Sequence, residues 1–174
     1  MEDPRYPIGR FQAEPTLTDV RRRELIEQIA AAPTRLREAI AGLTEQQLDT
    51  PYRDGGWTVR QVAHHVPDSH LNAYIRFKLG LTEDSPPIKT YDQTEWAKTA
   101  EMGAPPDFSL DLLDALHRRW VHLLRSLGPN HFARTIEHPE WGKITLDFLV
   151  QLYAWHGRHH VAHITSLRQR MGWR

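Results

Sequence analysis

Tyr153-Ala154-Trp155-His156-Gly157-Arg158-His159-His160-Val161-Ala162-His163 holds four of the eleven histidines of this 174-residue chain. Around it, Leu146, Leu149, Val150, Tyr153, Ile164, Leu167 and Met171 recur at three- and four-residue steps, which predicts one long amphipathic helix. Thr145 with Asp147 opens it, and it continues to about Met171. At about 100° per residue, His160 falls near the centre of the apolar stripe and His156 about 50° to one side. His163 is further round, and His159 sits roughly 110° off, at the edge or outside. Histidines at i, i+4 share a helix face and can pinch a metal ion, and His156/His160 points inward better than His159/His163. Gly157 is on the inward face too, which leaves room for another helix or a ligand.

Working outward, residues 1–17 carry Pro4, Pro7, Gly9 and Pro15 and read as an extended arm, ordered only if it packs on the body. Thr18 is the expected cap of a first helix with the stripe Leu25, Ile29, Ala32, Leu36, Ile40 and Leu43. Pro33 interrupts this stripe without changing its phase, so one kinked helix or two abutting helices are expected. Thr58-Val59-Arg60-Gln61 has the capping-box form and starts a second helix that runs to about Leu81, with Pro67 bending it. Residues 82–108 form a long connector, bracketed by two Pro-Pro pairs around a short helical stretch, Gln93 to Glu101. A connector of this length is either a lid or binding loop, or a diagonal crossing of a bundle. Ser109 is the expected cap of a third helix, which ends at Gly128-Pro129. A small hairpin is expected around Glu140-Trp141-Gly142-Lys143. Four principal helices in one domain, 1–174, make an all-α four-helix bundle with a long connector between the second and third.

The bulk numbers exclude several classes. Lys plus Arg and Asp plus Glu number 22 each, so no field that would recruit nucleic acid or an acidic membrane is expected. Arg21-Arg22-Arg23 is read as a solvated helix face. There is no cysteine, which removes disulfides, cysteine zinc sites and a thiol nucleophile, and suits a reducing compartment. No apolar run approaches the roughly 20 residues of a membrane span. A cytoplasmic location is expected.

A second histidine group, His64-His65-Val66-Pro67-Asp68-Ser69-His70, lies on the second helix. Its apolar stripe, Val59, Val62, Val66, Ala73 and Phe77, leaves His70 close to the core direction and His65 at its border, while His64 points away to the surface. Periodicity alone slightly prefers His70 as a third ligand beside His156 and His160. The alternative to a metal site is a hydrogen-bonded cluster of core histidines.

Tyr6-Pro7-Ile8-Gly9, Pro51-Tyr52-Arg53-Asp54-Gly55-Gly56-Trp57-Thr58-Val59-Arg60-Gln61, the His64-His65 pair with Asp68-Ser69-His70, Tyr74-Ile75-Arg76-Phe77-Lys78-Leu79, and Trp155-His156 through His160 to Met171-Gly172-Trp173 together resemble the YfiT branch of the DinB-like superfamily. The resemblance covers nearly the whole chain. It implies a four-helix bundle, commonly dimeric, with a divalent metal held by one histidine of the second helix and two of the last. Carried onto this sequence, those are His65, His156 and His160, so the resemblance replaces His70 by His65. Pro67 departs from the small helix-forming residue expected at that point.

Three neutral imidazoles suit zinc, nickel or another late first-row ion and leave at least one coordination position open. A water there would be acidified towards neutral pH, or the position could take a small thiol's sulfur or polarise a carbonyl. The resemblance implies the same fork: metal-dependent hydrolysis of a small molecule, or transfer to a low-molecular-weight thiol such as bacillithiol or mycothiol. A non-catalytic bundle, in which the metal is structural and closed by a fourth ligand such as His70 or His163, or in which the pocket merely sequesters a ligand, is the reading from another class. His70, His159 and His163 could orient a ligand or move protons, and Asp68 could accept a ligand's N–H. Arg76 and Arg158 are candidates for holding an anionic substrate. No glutamate adjoins the ligands as in a His-Glu-x-x-His protease, which argues against peptide hydrolysis.

Overall fold

In the computed structural model, residues 3–173 are described. In chain order the elements are α1 (Asp19–Ile40), α2 (Glu45–Leu48), α3 (Val59–Thr82), α4 (Gln93–Trp96), a 3-10 turn (Ala100–Gly103), α5 (Asp107–Arg125), α6 (Pro129–Phe132), the hairpin strands β1 (Thr135–His138) and β2 (Gly142–Thr145), and α7 (Leu146–Met171). The four long helices α1, α3, α5 and α7 form a bundle. Each of α1 and α3 packs against both α5 and α7, so α1 and α3 lie across the diagonal from one another.

Local chemistry explains the boundaries. The Thr18 side chain accepts from the Arg21 amide, and Thr58 and Gln61 form a reciprocal capping box. Thr145 caps α7 on the Phe148 amide, and Gly172 at φ 66° closes it in the left-handed region. α1 and α3 each continue as one helix through Pro33 and Pro67. The hairpin is antiparallel, with Thr135 opposite Thr145 and His138 opposite Gly142.

Two expectations at this level are corrected. Ser109 is not the cap of α5, which already begins at Asp107; its hydroxyl is taken by His64 instead. Nor is the Arg21-Arg22-Arg23 run wholly a solvated face. Arg22 is buried and grips Asp147 with two contacts, at 2.6 and 2.9 Å, tying α1 to the start of α7.

The arm and the connector are both fastened to the body. Gln151 of α7 clamps the backbone of Glu14 in both directions, its Oε1 accepting at 2.6 Å and its Nε2 donating at 3.2 Å. The connector runs beside β1, where the Ile88 amide donates to the Glu137 carbonyl and the Glu137 amide to that of Pro86. Farther along, Gln61 donates to the Ala97 carbonyl at 2.8 Å. Among the described residues no helix is long and apolar enough to cross a membrane.

The apolar interior is divided. One cluster gathers Ile29, Phe77, Trp120, Leu146 and Leu149, and the other Leu36, Val62, Leu113 and Ile164. Every long helix contributes to both. Between them along α3, α5 and α7 lie His70, His117 and His156, so a polar layer separates two oily ones.

Candidate metal centre

α3 delivers His65 and α7 delivers His156 and His160. One ring nitrogen from each lies within 4.8 Å of the others, and this is the one such group of three or more His, Asp or Glu side chains among the described residues. His65 and His160 are buried, and the Nε2 of His65 has no hydrogen-bond partner. A bare buried nitrogen is costly and a cation beside it offsets that cost, so the three histidines fit a divalent metal. Burial pushes His65 down to about 4 and holds His156 and His160 well below the ordinary histidine value. All three are therefore neutral near pH 7, the form that binds metal.

The rings are held from behind. His70 Nε2 lies 3.1 Å from His156 Nδ1, and His163 Nδ1 lies 3.3 Å from His160 Nδ1. Neither His70 nor His163 joins the converging group. Trp57 packs on His65 with ring centroids 4.6 Å apart, and Tyr52 stacks on His163 at 4.0 Å. Gly157 lets α1 approach: a Cβ there would stand 3.1 Å from that of Ala32 and 3.6 Å from His70 Cε1.

His156 and His160 open onto a cavity of about 490 Å³. The arm adds Arg5 and Tyr6 to its wall, the turn before α3 adds Tyr52, Arg53 and Trp57, and the connector adds Gln93 and Thr94. The connector thus forms part of the cavity wall.

Other sequence-derived candidates fall elsewhere. His64 is buried rather than at the surface, pinned between Ser109 Oγ at 2.7 Å and the Ala104 carbonyl at 3.0 Å. His159 is buried too, stacked on Trp155 at 4.2 Å and lining the cavity. Asp68 is half-buried, with its carboxyl pushed up to about 6 by burial, and it makes no hydrogen bond to the three histidines. Arg76 is buried between the Tyr153 hydroxyl and the Lys89 carbonyl, and Arg158 bonds the Ala154 carbonyl; neither lines the cavity. The positive charge at the cavity comes from Arg5 and Arg53 instead. His117 escaped the sequence reading, although it lies four residues after Leu113 and three before Trp120, in the middle of the α5 stripe.

Bundle and histidine group together define a class: four-helix proteins with a buried three-nitrogen cluster facing a cavity. Residues 28–164 match the model of the DinB superfamily, and the chain belongs to that family. It is similar to a Bacillus mycoides protein named "putative metal-dependent hydrolase", 54% identical over 99% of this chain and 100% of the relative. A Bacillus cereus protein of the same name is 53% identical over the same shares. Among solved structures it resembles YfiT from Bacillus subtilis, described as a probable metal-dependent hydrolase with an unusual four-helix bundle topology. That match has a TM-score of 0.96 and 47% identity, covering 98% of this chain and 99% of YfiT. A second solved four-helix bundle protein, 20% identical with a TM-score of 0.57, shares the fold over 80% of this chain and 94% of its own.

Proposed function

We propose that this chain is a metal-dependent hydrolase of small molecules, with His65, His156 and His160 holding one zinc or nickel ion. The observation that carries the reading is the convergence of three neutral imidazole nitrogens beside a cavity large enough for a small molecule. A bound ion would supply Lewis acidity and raise the acidity of a ligand in its open position. The relatives' names point the same way.

The chain's own residues supply the rest. Trp57 and Tyr52 give aromatic walls that hold a substrate against the histidines. Arg5 and Arg53 give positive charge for an anionic group of the substrate or co-substrate. Burial drives His159 to about 3, which makes it a poor proton acceptor, and we assign it to the wall with Trp155.

Transfer to a low-molecular-weight thiol uses the same site and is the second reading; the absence of cysteine means that the thiol arrives as a co-substrate. One assay separates the readings. Zinc-loaded protein is incubated with an electrophilic ester, with and without a small thiol, and products are identified by mass spectrometry. Thiol-independent cleavage is the expected result. A conjugate formed only with thiol replaces hydrolysis by transfer, and no turnover in either arm with zinc bound overturns both in favour of a non-catalytic bundle.

A further inference from the structure

The polar layer between the two apolar clusters has a direction. It begins at a backbone carbonyl. In an α-helix the Ile29 carbonyl would accept from the amide of residue 33, but residue 33 is proline and has none. The carbonyl accepts instead from His117 Nδ1, 2.7 Å away on α5. His117 Nε2 lies 2.7 Å from His70 Nδ1 on α3, and His70 Nε2 lies 3.1 Å from His156 Nδ1 on α7. The path touches each long helix once.

Among the described residues no carboxylate is hydrogen-bonded to His70, His117 or His156, and their nitrogens meet only a carbonyl, a hydroxyl and one another, so the path is followed with one proton on each ring. A carbonyl can only accept, so the proton of His117 is on Nδ1 and its Nε2 is a lone pair. That lone pair requires the proton of His70 on Nδ1, and the bare Nε2 of His70 requires the proton of His156 on Nδ1. His156 Nε2 is then left as a lone pair, with the Ser69 hydroxyl 3.4 Å from it. We infer that Pro33, the Ile29 carbonyl, His117 and His70 act as a relay that fixes the tautomer of His156 and so presents its Nε2 to the metal. A one-step path does the same for His160: His163 Nε2 donates to the Arg5 carbonyl at 3.2 Å, and its Nδ1 accepts from His160 Nδ1.

His117 and His70 are positioning residues here, and the inference uses the proposed metal site only in its affinity arm. The first test needs no metal. Long-range proton–nitrogen NMR on the metal-free, nitrogen-15 histidine-labelled protein reads which ring nitrogen carries each proton. The expected result is Nδ1–H at His117, His70, His156 and His160, with Nε2–H at His163. An Nε2–H tautomer at His156 in the unaltered protein overturns the relay, even if His160→Ala shows that the metal site itself is right.

The second test compares two substitutions at one position. His117→Phe removes the acceptor for His70 and frees the path to reverse. His117→Gln keeps an acceptor at the reach of Nε2. Zinc affinity, read by competition with a chelator, is expected to fall about 10- to 100-fold in His117→Phe and to recover in His117→Gln. Pro33→Ala, which restores a competing amide for the Ile29 carbonyl, is expected to cause a smaller fall, and it reports even if His117→Phe does not fold. Unchanged zinc affinity and an unchanged His156 tautomer across the folded variants overturn the relay.

Discussion

At the scale of single residues, the eleven histidines divide by what their nitrogens touch. Replacing His160 by alanine removes one of three converging donors and is expected to strip bound metal, measured as metal per chain after purification. Replacing His64 by alanine is expected to leave metal content intact. It strands the Ser109 hydroxyl and leaves the Ala104 carbonyl only the 3.4 Å contact from Arg60, at a stability cost of about 1–3 kcal/mol read from denaturant unfolding. Metal retained in His160→Ala, or lost in folded His64→Ala, would overturn the proposed ligand set. The phase of His156 and His160 was legible because apolar neighbours surround them. His64 and His159 depart from the helical wheel because a wheel counts apolar residues, whereas polar burial depends on remote partners: a serine 45 positions away for His64 and the Tyr6 ring of the arm, 6.1 Å from its own, for His159. The placing of His65 came from family resemblance, since its own periodicity sets it at a border.

At the scale of elements, short-range signals read well where the capping chemistry is local. Thr18, Thr58 and Thr145 cap the helices that their sequences announce. α5 departs because its start is made by Pro106 and Asp107, which frees Ser109 for another helix. The prolines of α1 and α3 are tolerated inside continuous helices, which the residue pattern left open for Pro33. Gly157 is the element-scale pivot, since α1 and His70 both crowd its missing side chain. Gly157→Val is expected to force α1 and α7 apart and to destabilise by about 1–3 kcal/mol, despite removing a helical glycine. Thermal unfolding checks this, and an unchanged or raised midpoint would refute the close packing.

At the scale of the molecule, four helices were legible but their order around the bundle was not. Periodicity assigns each helix an inward face and says nothing of which neighbour it faces; the diagonal placement of α1 and α3 emerges from packing alone. The interior also sets a pH response. Burial lowers His65, His117 and His163 from 6.5 to about 4. Between those values the unfolded chain binds protons that the folded one excludes, so stability falls with falling pH. The metal-free protein is expected to melt at a constant temperature above pH 7 and at steadily lower temperatures from about pH 6.5 to 4, by calorimetry. A flat profile across that window would contradict neutral buried histidines. The arm has a further consequence, in time rather than space. Arg5 and His163 are 158 positions apart, and Glu14 and Gln151 are 137 apart. On the ribosome the arm is made before the last helix and must wait, unpaired, until that helix emerges. Contacts that close so long a loop form late. The bundle can therefore assemble around its oily layers before the wall of its own cavity is in place, and completion of the cavity would trail behind compactness as the chain matures.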